Sequence, residues 1–222
     1  RKFKINNHQN KIIEHLKLQD KKTKERKIIV LSDLDDTLWA GPFSPQDSSG
    51  MAYLCSNAIY QALDFKVFIT ARPEFLRSIT AKVIKTKLDS IFTLHTAPFS
   101  ASLFGFFYKE IIAKWKAFII KRYINIFPEA EIIWIGDTSQ GDILSGKILL
   151  EDKENINLKY VFIHDLNNLK REEKIKHQNN KIIFYKNFPE LIIKLAHKTF
   201  PRKHHKLILE SCSKEIKALR KK

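Results

Sequence analysis

The sequence predicts a doubly wound α/β domain built on a parallel sheet. Two observations predict it. Short, wholly apolar runs rich in Ile, Val and Phe recur along the chain, as strands buried on both faces do. Stretches with apolar residues at helical spacing separate those runs, and alternation of this kind is the signature of a parallel sheet covered by helices.

The elements follow in order. Residues 1–26 are polar and basic, with scattered apolar positions at Ile12, Ile13 and Leu16, and read as a basic extension. The first strand is Lys27 to Ser32, ending at Asp33. A helix is expected over Ala52 to Leu63, then a strand over Phe65 to Thr70. Glu74 to Lys87 reads as a helix, and Ser90 to Thr96 as a weaker strand. Tyr108 to Ile126 is a helix, followed by a strand over Glu131 to Asp137. Lys159 to His164 is a further strand, Lys181 to Tyr185 a short edge element, and Pro189 to His197 a helix. Two stretches read as loops: Trp39 to Gly50, rich in Gly, Pro and Ser, and the apolar Pro98 to Tyr108. The chain thus divides into the extension, a domain over 27–200, and a basic helix over 201–222 with eight Lys or Arg against two Glu.

Composition narrows the function. The 222 residues suit one α/β domain with short extensions. The net charge of +16 favours anionic partners: nucleic acid, acidic membrane or phosphorylated substrate. No zinc-finger spacing and no aromatic RNA-binding signature is present, which disfavours nucleic acid. No apolar run approaches the roughly 18 residues of a membrane span. Cys55 and Cys212 are the only cysteines and lack metal-site spacing, so neither zinc nor a disulfide is expected, and a reducing compartment fits.

In open α/β sheets the active site lies beyond the carboxyl ends of the strands. Three runs end there in reactive residues: Asp33-Leu34-Asp35-Asp36-Thr37, then Thr70-Ala71-Arg72, then Gly136-Asp137-Thr138-Ser139-Gln140-Gly141-Asp142. One such ending means little, because Asp and Thr also cap helices. Three in succession require three independent coincidences. Asp36 reads as a turn or cap residue.

Asp33-x-Asp35-x-Thr37 resembles the first motif of the haloacid dehalogenase superfamily. Thr70 is similar to its second motif, and Gly136-Asp137 with Asp142 to its fourth. Lys116, in preference to Lys109 or Lys114, resembles the third-motif lysine. Trp115-Lys116-Ala117, Phe127-Pro128 and the spacing of Gln140 and Asp142 resemble phosphatidate-phosphatase-type members described with actin-patch proteins. The resemblance runs from Lys27 to Leu195. It implies a phosphatase that uses Mg²⁺ and forms an aspartyl-phosphate. Asp33 would be the nucleophile and Asp35 the general acid and base. Asp33, the backbone carbonyl of Asp35, and Asp137 would hold the ion, with Asp142 a ligand through water or a supporting group. Thr70 and Lys116 would bind the phosphoryl oxygens.

The spacings around Thr70 leave no room for an inserted cap of about 50 residues. The resemblance then implies an open site that takes a macromolecule. A phosphoprotein is expected, with phosphotyrosine favoured by analogy with capless bacterial effector phosphatases, which act after secretion into a host. Trp39 and Phe43 would form an apolar rim against the ring, and Arg72 would bind substrate or hold the loop. Phosphatidate is the rival substrate. A basic membrane- or nucleic-acid-binding module is the rival without catalysis. The C-terminal helix is expected to bind anionic membrane or to stand solvated.

Overall fold

The computed structural model describes residues 27–41, 52–63, 65–88, 91–107, 109–139, 141–155, 157–177, 180–198 and 202–219. The extension over 1–26, Phe43 with most of its loop, and Gln140 lie outside the described residues.

Six strands form one parallel sheet: β1 (Ile28–Ser32), β2 (Lys66–Pro73), β3 (Thr93–Ala97), β4 (Glu131–Asp137), β5 (Leu158–His164) and β6 (Ile182–Tyr185). Their spatial order is β3-β2-β1-β4-β5-β6. The chain winds outward from β1 to β3, returns to β4 beside β1, and winds outward again. This is the doubly wound α/β fold that the sequence predicts.

Side-chain alternation explains why both faces need covering. Ile29, Leu31, Val67, Ile69, Ile132, Trp134, Val161 and Ile163 point to one apolar core. Val30, Phe68, Ile133, Ile135 and Phe162 point to the other. The first core is closed by α4 (Lys109–Ile126) and α5 (Asp142–Glu151). The second is closed by α1 (Ser56–Gln61), α2 (Arg77–Leu88), α7 (Phe188–Lys198) and α8 (Arg202–Leu219). α3 (Phe99–Phe107) precedes α4, and α6 (Arg171–His177) lies between β5 and β6. No helix among the described residues is long and apolar enough to cross a membrane.

Four readings of the sequence need correction. Pro98 to Tyr108 is not a loop, because α3 occupies most of it. Pro98 offers its carbonyl to the amide of Ser102 at 2.9 Å, so it opens the helix rather than breaking it. The helix expected from Ala52 begins only at Ser56, since Ala52 is drawn into a bridge with Trp39. The C-terminal helix does not stand wholly in solvent. Ile208 is buried in the core against α1 and α7. Lastly, Cys55 and Cys212 form a disulfide across 157 residues, with Cα atoms 4.8 Å apart. Spacing along the chain carries no trace of that pairing, which comes from α8 docking on α1. A disulfide there is at odds with the reducing compartment expected from the sequence.

Candidate active site

The site lies in the crevice beyond the carboxyl ends of β1 and β4, where the winding direction reverses and ligands of such sheets bind. Asp33 follows β1 and donates its amide to the Ile135 carbonyl at 2.9 Å, which carries the ladder one residue beyond the strand. The chain then turns sharply. Leu38 donates to the Leu34 carbonyl at 2.8 Å, and Asp36 adopts φ 60°. The Asp36 carboxylate accepts the Gly41 amide at 2.9 Å, so Asp36 is the turn residue that the sequence suggested.

β4 ends on Asp137, fully buried. One Asp137 oxygen accepts both the amide and hydroxyl of Ser139. The other accepts the Thr37 hydroxyl at 3.3 Å. Gly141, at φ 81°, then lets the chain enter α5, whose first residue is Asp142. The Asp142 carboxylate reaches back and accepts the Asp137 amide at 3.1 Å. A side chain at position 136 would forbid this, because a Cβ there would sit 2.5 Å from that of Asp142. The Gly136-Asp137 pairing is thus a packing requirement of the site.

Lys116 arrives from α4, within the stripe of Ile112, Ala113, Ala117, Ile119 and Ile120 that faces the sheet. A lysine in that stripe is forced indoors. Its ammonium lies 2.6 Å from Asp142 Oδ1 and 3.0 Å from Asp33 Oδ1, while Lys109 and Lys114 are exposed. Burial acts to lower the Lys116 pKa, but Asp142, Asp33 and Asp137 outweigh it and raise it. Lys116 is therefore a fixed cation.

Asp33 is wholly buried, and neither carboxylate oxygen accepts a hydrogen bond among the described residues. Burial lifts its carboxyl well above the ordinary range. Lys116 opposes the rise, whereas Asp142, Asp137 and Asp35 add to it. Burial likewise pushes Asp142 up to about 7 against the pull of Lys116. Buried carboxylates are normally paired; Lys116 faces Oδ1 at 3.0 Å, and Oδ2 has no partner among the described residues.

Oxygens of Asp33, Asp137 and Asp142 lie within 4.8 Å of one another. Three carboxylates face one ammonium, which leaves two charges to balance. This buried group can hold a metal ion, and its oxygen-only character suits a hard divalent cation. Asp142 already commits one oxygen to Lys116 and the other to a backbone amide, so its first role is to seat Lys116.

The Asp35 carboxylate is held from the β2 side. Arg72 Nε donates to Oδ2 at 2.8 Å and Nη2 to Oδ1 at 2.6 Å. Trp39 Nε1 adds a contact to Oδ1 at 3.4 Å. Hydrogen bonding to Asp35 raises the Arg72 pKa. Thr70 ends the buried part of β2, two residues beyond Phe68, which pairs with Ser32. Its hydroxyl accepts the Arg72 amide at 3.2 Å.

The structure therefore gathers Asp33, Asp137, Asp142 and Lys116 into one cluster and sets Asp35, Arg72 and Thr70 at its β2 side. It does not place Trp39 on a rim. Trp39 is 1% exposed and packs in the core, where an indole finds more apolar contact than a loop surface offers. Thr37 and Ser139, which orient Asp137, had no role assigned from sequence. The fifth position of the Asp-x-Asp-x-Thr pattern was the available signal for Thr37. No family model, no curated protein and no solved structure matches this chain.

Proposed function

We propose that the protein hydrolyses phosphomonoesters by carrying the phosphoryl group transiently on Asp33. The observation that supports this most is the fully buried Asp33 carboxylate, whose Oδ1 faces the Lys116 ammonium at 3.0 Å and whose Oδ2 has no partner among the described residues. A merely structural acid in that position would have its oxygens satisfied. One oxygen of Asp33 attacks phosphorus while the leaving oxygen departs with a proton from Asp35. Lys116 lies where it can balance charge on the phosphoryl oxygens, and the Thr70 hydroxyl lies on the neighbouring strand. Asp35 then takes a proton from the water that releases phosphate from Asp33. A divalent cation, read as Mg²⁺ and held by Asp33 and Asp137 with Asp142 behind them, would screen repulsion between the attacking carboxylate and the phosphate.

For the substrate, a phosphorylated macromolecule remains the first reading, a phosphoprotein with phosphotyrosine favoured. Its support is the charge of +16, because buried Trp39 lends none. One observation favours the rival, a phosphorylated lipid. Phe75 and Phe99 follow β2 and β3 at the site end of the sheet, are 68% and 61% exposed, and have ring centroids 6.1 Å apart. Exposed aromatics on a basic protein suit an anionic bilayer surface.

The decisive test is phosphate release from an aryl phosphate with and without added divalent cation, with mass mapping of a hydroxylamine-sensitive phosphate on Asp33. No turnover with any divalent ion would end the proposal. Phosphotyrosine peptides, phosphatidate vesicles and sugar phosphates, compared by kcat/KM, rank the substrates. Selectivity for a small sugar phosphate would defeat the macromolecular reading.

A further inference from the structure

We infer that Arg72 is a positioning residue for Asp35 rather than a substrate-binding one. The inference rests on the phosphatase reading above and deepens it.

Both oxygens of Asp35 are engaged by the planar fork of Arg72, through Nε at 2.8 Å and Nη2 at 2.6 Å. A fork of this kind fixes direction as well as distance, which a lysine ammonium cannot do. The guanidinium is itself anchored. The Arg72 amide is held by Thr70 Oγ1 at 3.2 Å, and Nη1 reaches Thr80 Oγ1 at 3.4 Å. The indole of Trp39, set in the core, closes on Oδ1 from the other side at 3.4 Å. With Nε and Nη2 committed to Asp35 and Nη1 turned to Thr80, the side of the fork that could grip a phosphate in two-point fashion is taken by Asp35. The Arg72 side chain is 28% exposed, against 6% for Asp35, so it can be replaced without opening the core.

Position matters here because Asp35 acts twice. In the first step the bond from Asp33 oxygen to phosphorus forms and the bond from phosphorus to the leaving oxygen breaks. The proton on Asp35 passes to that leaving oxygen. In the second step water adds to phosphorus, the bond to Asp33 breaks, and the proton from water returns to Asp35. A carboxyl group turned away from the leaving oxygen penalises the first step only when that oxygen needs a proton. The signature of a positioning role is therefore a loss that depends on the leaving group.

The test compares kcat/KM for phenyl phosphate and dinitrophenyl phosphate, with divalent cation present, for the wild type, Arg72→Gln and Arg72→Lys. kcat/KM reports phosphoryl transfer to Asp33, so it isolates the first step. Arg72→Gln should lose on the order of 10- to 100-fold on phenyl phosphate, part of the roughly 10²- to 10⁴-fold that general acid catalysis supplies. It should lose less than about 3-fold on dinitrophenyl phosphate, whose leaving group departs unprotonated. Arg72→Lys keeps the charge without the fork and should fall between. Equal losses on both substrates, or a change in KM alone, would make Arg72 a substrate-binding or merely structural residue and overturn the inference. So would an unchanged Arg72→Gln. Circular dichroism and melting of each variant show whether it folds, and if the Gln variant does not, the Lys variant decides by the same ratio. A wild type inactive on both esters would instead defeat the phosphatase reading, and this inference with it.

Discussion

The crevice between β1 and β4 and the seam between α1 and α8 both bury polar groups, and they treat them oppositely. In the crevice, Asp33 is buried with one oxygen facing Lys116 and the other without a partner among the described residues, beside two more carboxylates. In the seam, Cys55 is bonded to Cys212, and its amide, at φ 66°, donates to Glu215 Oε2 at 2.7 Å. The polar groups named at the seam are paired, and apolar packing of Ile208 surrounds them. One region is held in an unfavourable arrangement by the scaffold, and the other is part of what holds it. Burial alone does not mark a site; a buried, incompletely paired carboxylate among other carboxylates does.

The largest expected effect tests that contrast at its centre. Asp33→Asn should reduce turnover by about 10³-fold or more, since an amide is neither nucleophile nor good metal ligand. The same change removes a buried like charge, so the metal-free variant should melt no lower than the wild type. A folded variant with near wild-type turnover would remove Asp33 from the mechanism.

Lys116 comes next. Lys116→Met leaves Asp33 and Asp142 buried without their cation, and should destabilise the fold by about 3–5 kcal/mol in urea unfolding. Lys114→Met, exposed on the same helix, should change stability by less than about 0.5 kcal/mol. Similar costs for the two variants would mean that the buried pairing contributes nothing.

A third effect needs no substitution. Burial raises the folded-state pKa of Asp33 and Asp142, the latter to about 7. In the unfolded chain both groups titrate in the ordinary carboxylate range, near about 4. Between those limits the folded protein binds more protons than the unfolded chain. The stability contributed by these two groups is therefore full below the ordinary range and is lost as pH rises toward neutrality. The melting temperature of the metal-free protein should fall across that window. Added Mg²⁺ competes with those protons, so its stabilisation should be greater at neutral pH than in acid. A melting temperature indifferent to Mg²⁺ at neutral pH would argue against a metal at the cluster.

These effects fall on residues that the sequence already exposed, and the reason is local. Asp33, Thr70 and Asp137 each end an apolar run, and strand ends are what a parallel sheet converts into a site. Lys116 was legible through the resemblance, by its distance before Asp137 and its Trp115-Lys116-Ala117 and Phe127-Pro128 context. α1, α2 and α7, on the opposite face of the sheet from α4, are periodic in sequence. What stayed hidden depends on contacts between distant segments. Arg72 reads as a substrate or loop-holding residue, and its pairing with Asp35 is visible only in the fold. Trp39 reads as a loop aromatic until the turn at Asp36 folds it inward. The basic C-terminal helix reads as solvated because its few apolar positions, Ile208 among them, gain meaning only against α1. The pairing of Cys55 with Cys212 is the extreme case, since it depends on two elements at opposite ends of the domain.

The seam supplies the smallest expected effect on the chemistry, and it sharpens the comparison most. Loss of the disulfide, by Cys212→Ser or by reduction, should lower stability by about 2–4 kcal/mol, because the bond closes a very long loop in the unfolded chain. Turnover of an aryl phosphate at a temperature where the protein stays folded should be unchanged. The reason is separation. Cys55 precedes α1 on the face lined by α2, α7 and α8, whereas Lys116 belongs to the opposite face and Asp137 to the crevice. One path of chain and hydrogen bonds does connect them: Ala52, three residues before Cys55, bridges Trp39, and Trp39 touches Asp35. If reduction lowers kcat/KM while circular dichroism is unaltered, that path transmits strain from the seam to the acid, and the two regions are one device. The sharper readout is again the leaving group, because a disturbance passed through Trp39 would reach Asp35 first and would penalise phenyl phosphate more than its dinitro analogue. Equal turnover of both esters in the oxidised and reduced protein keeps the seam a fastening and the crevice a site.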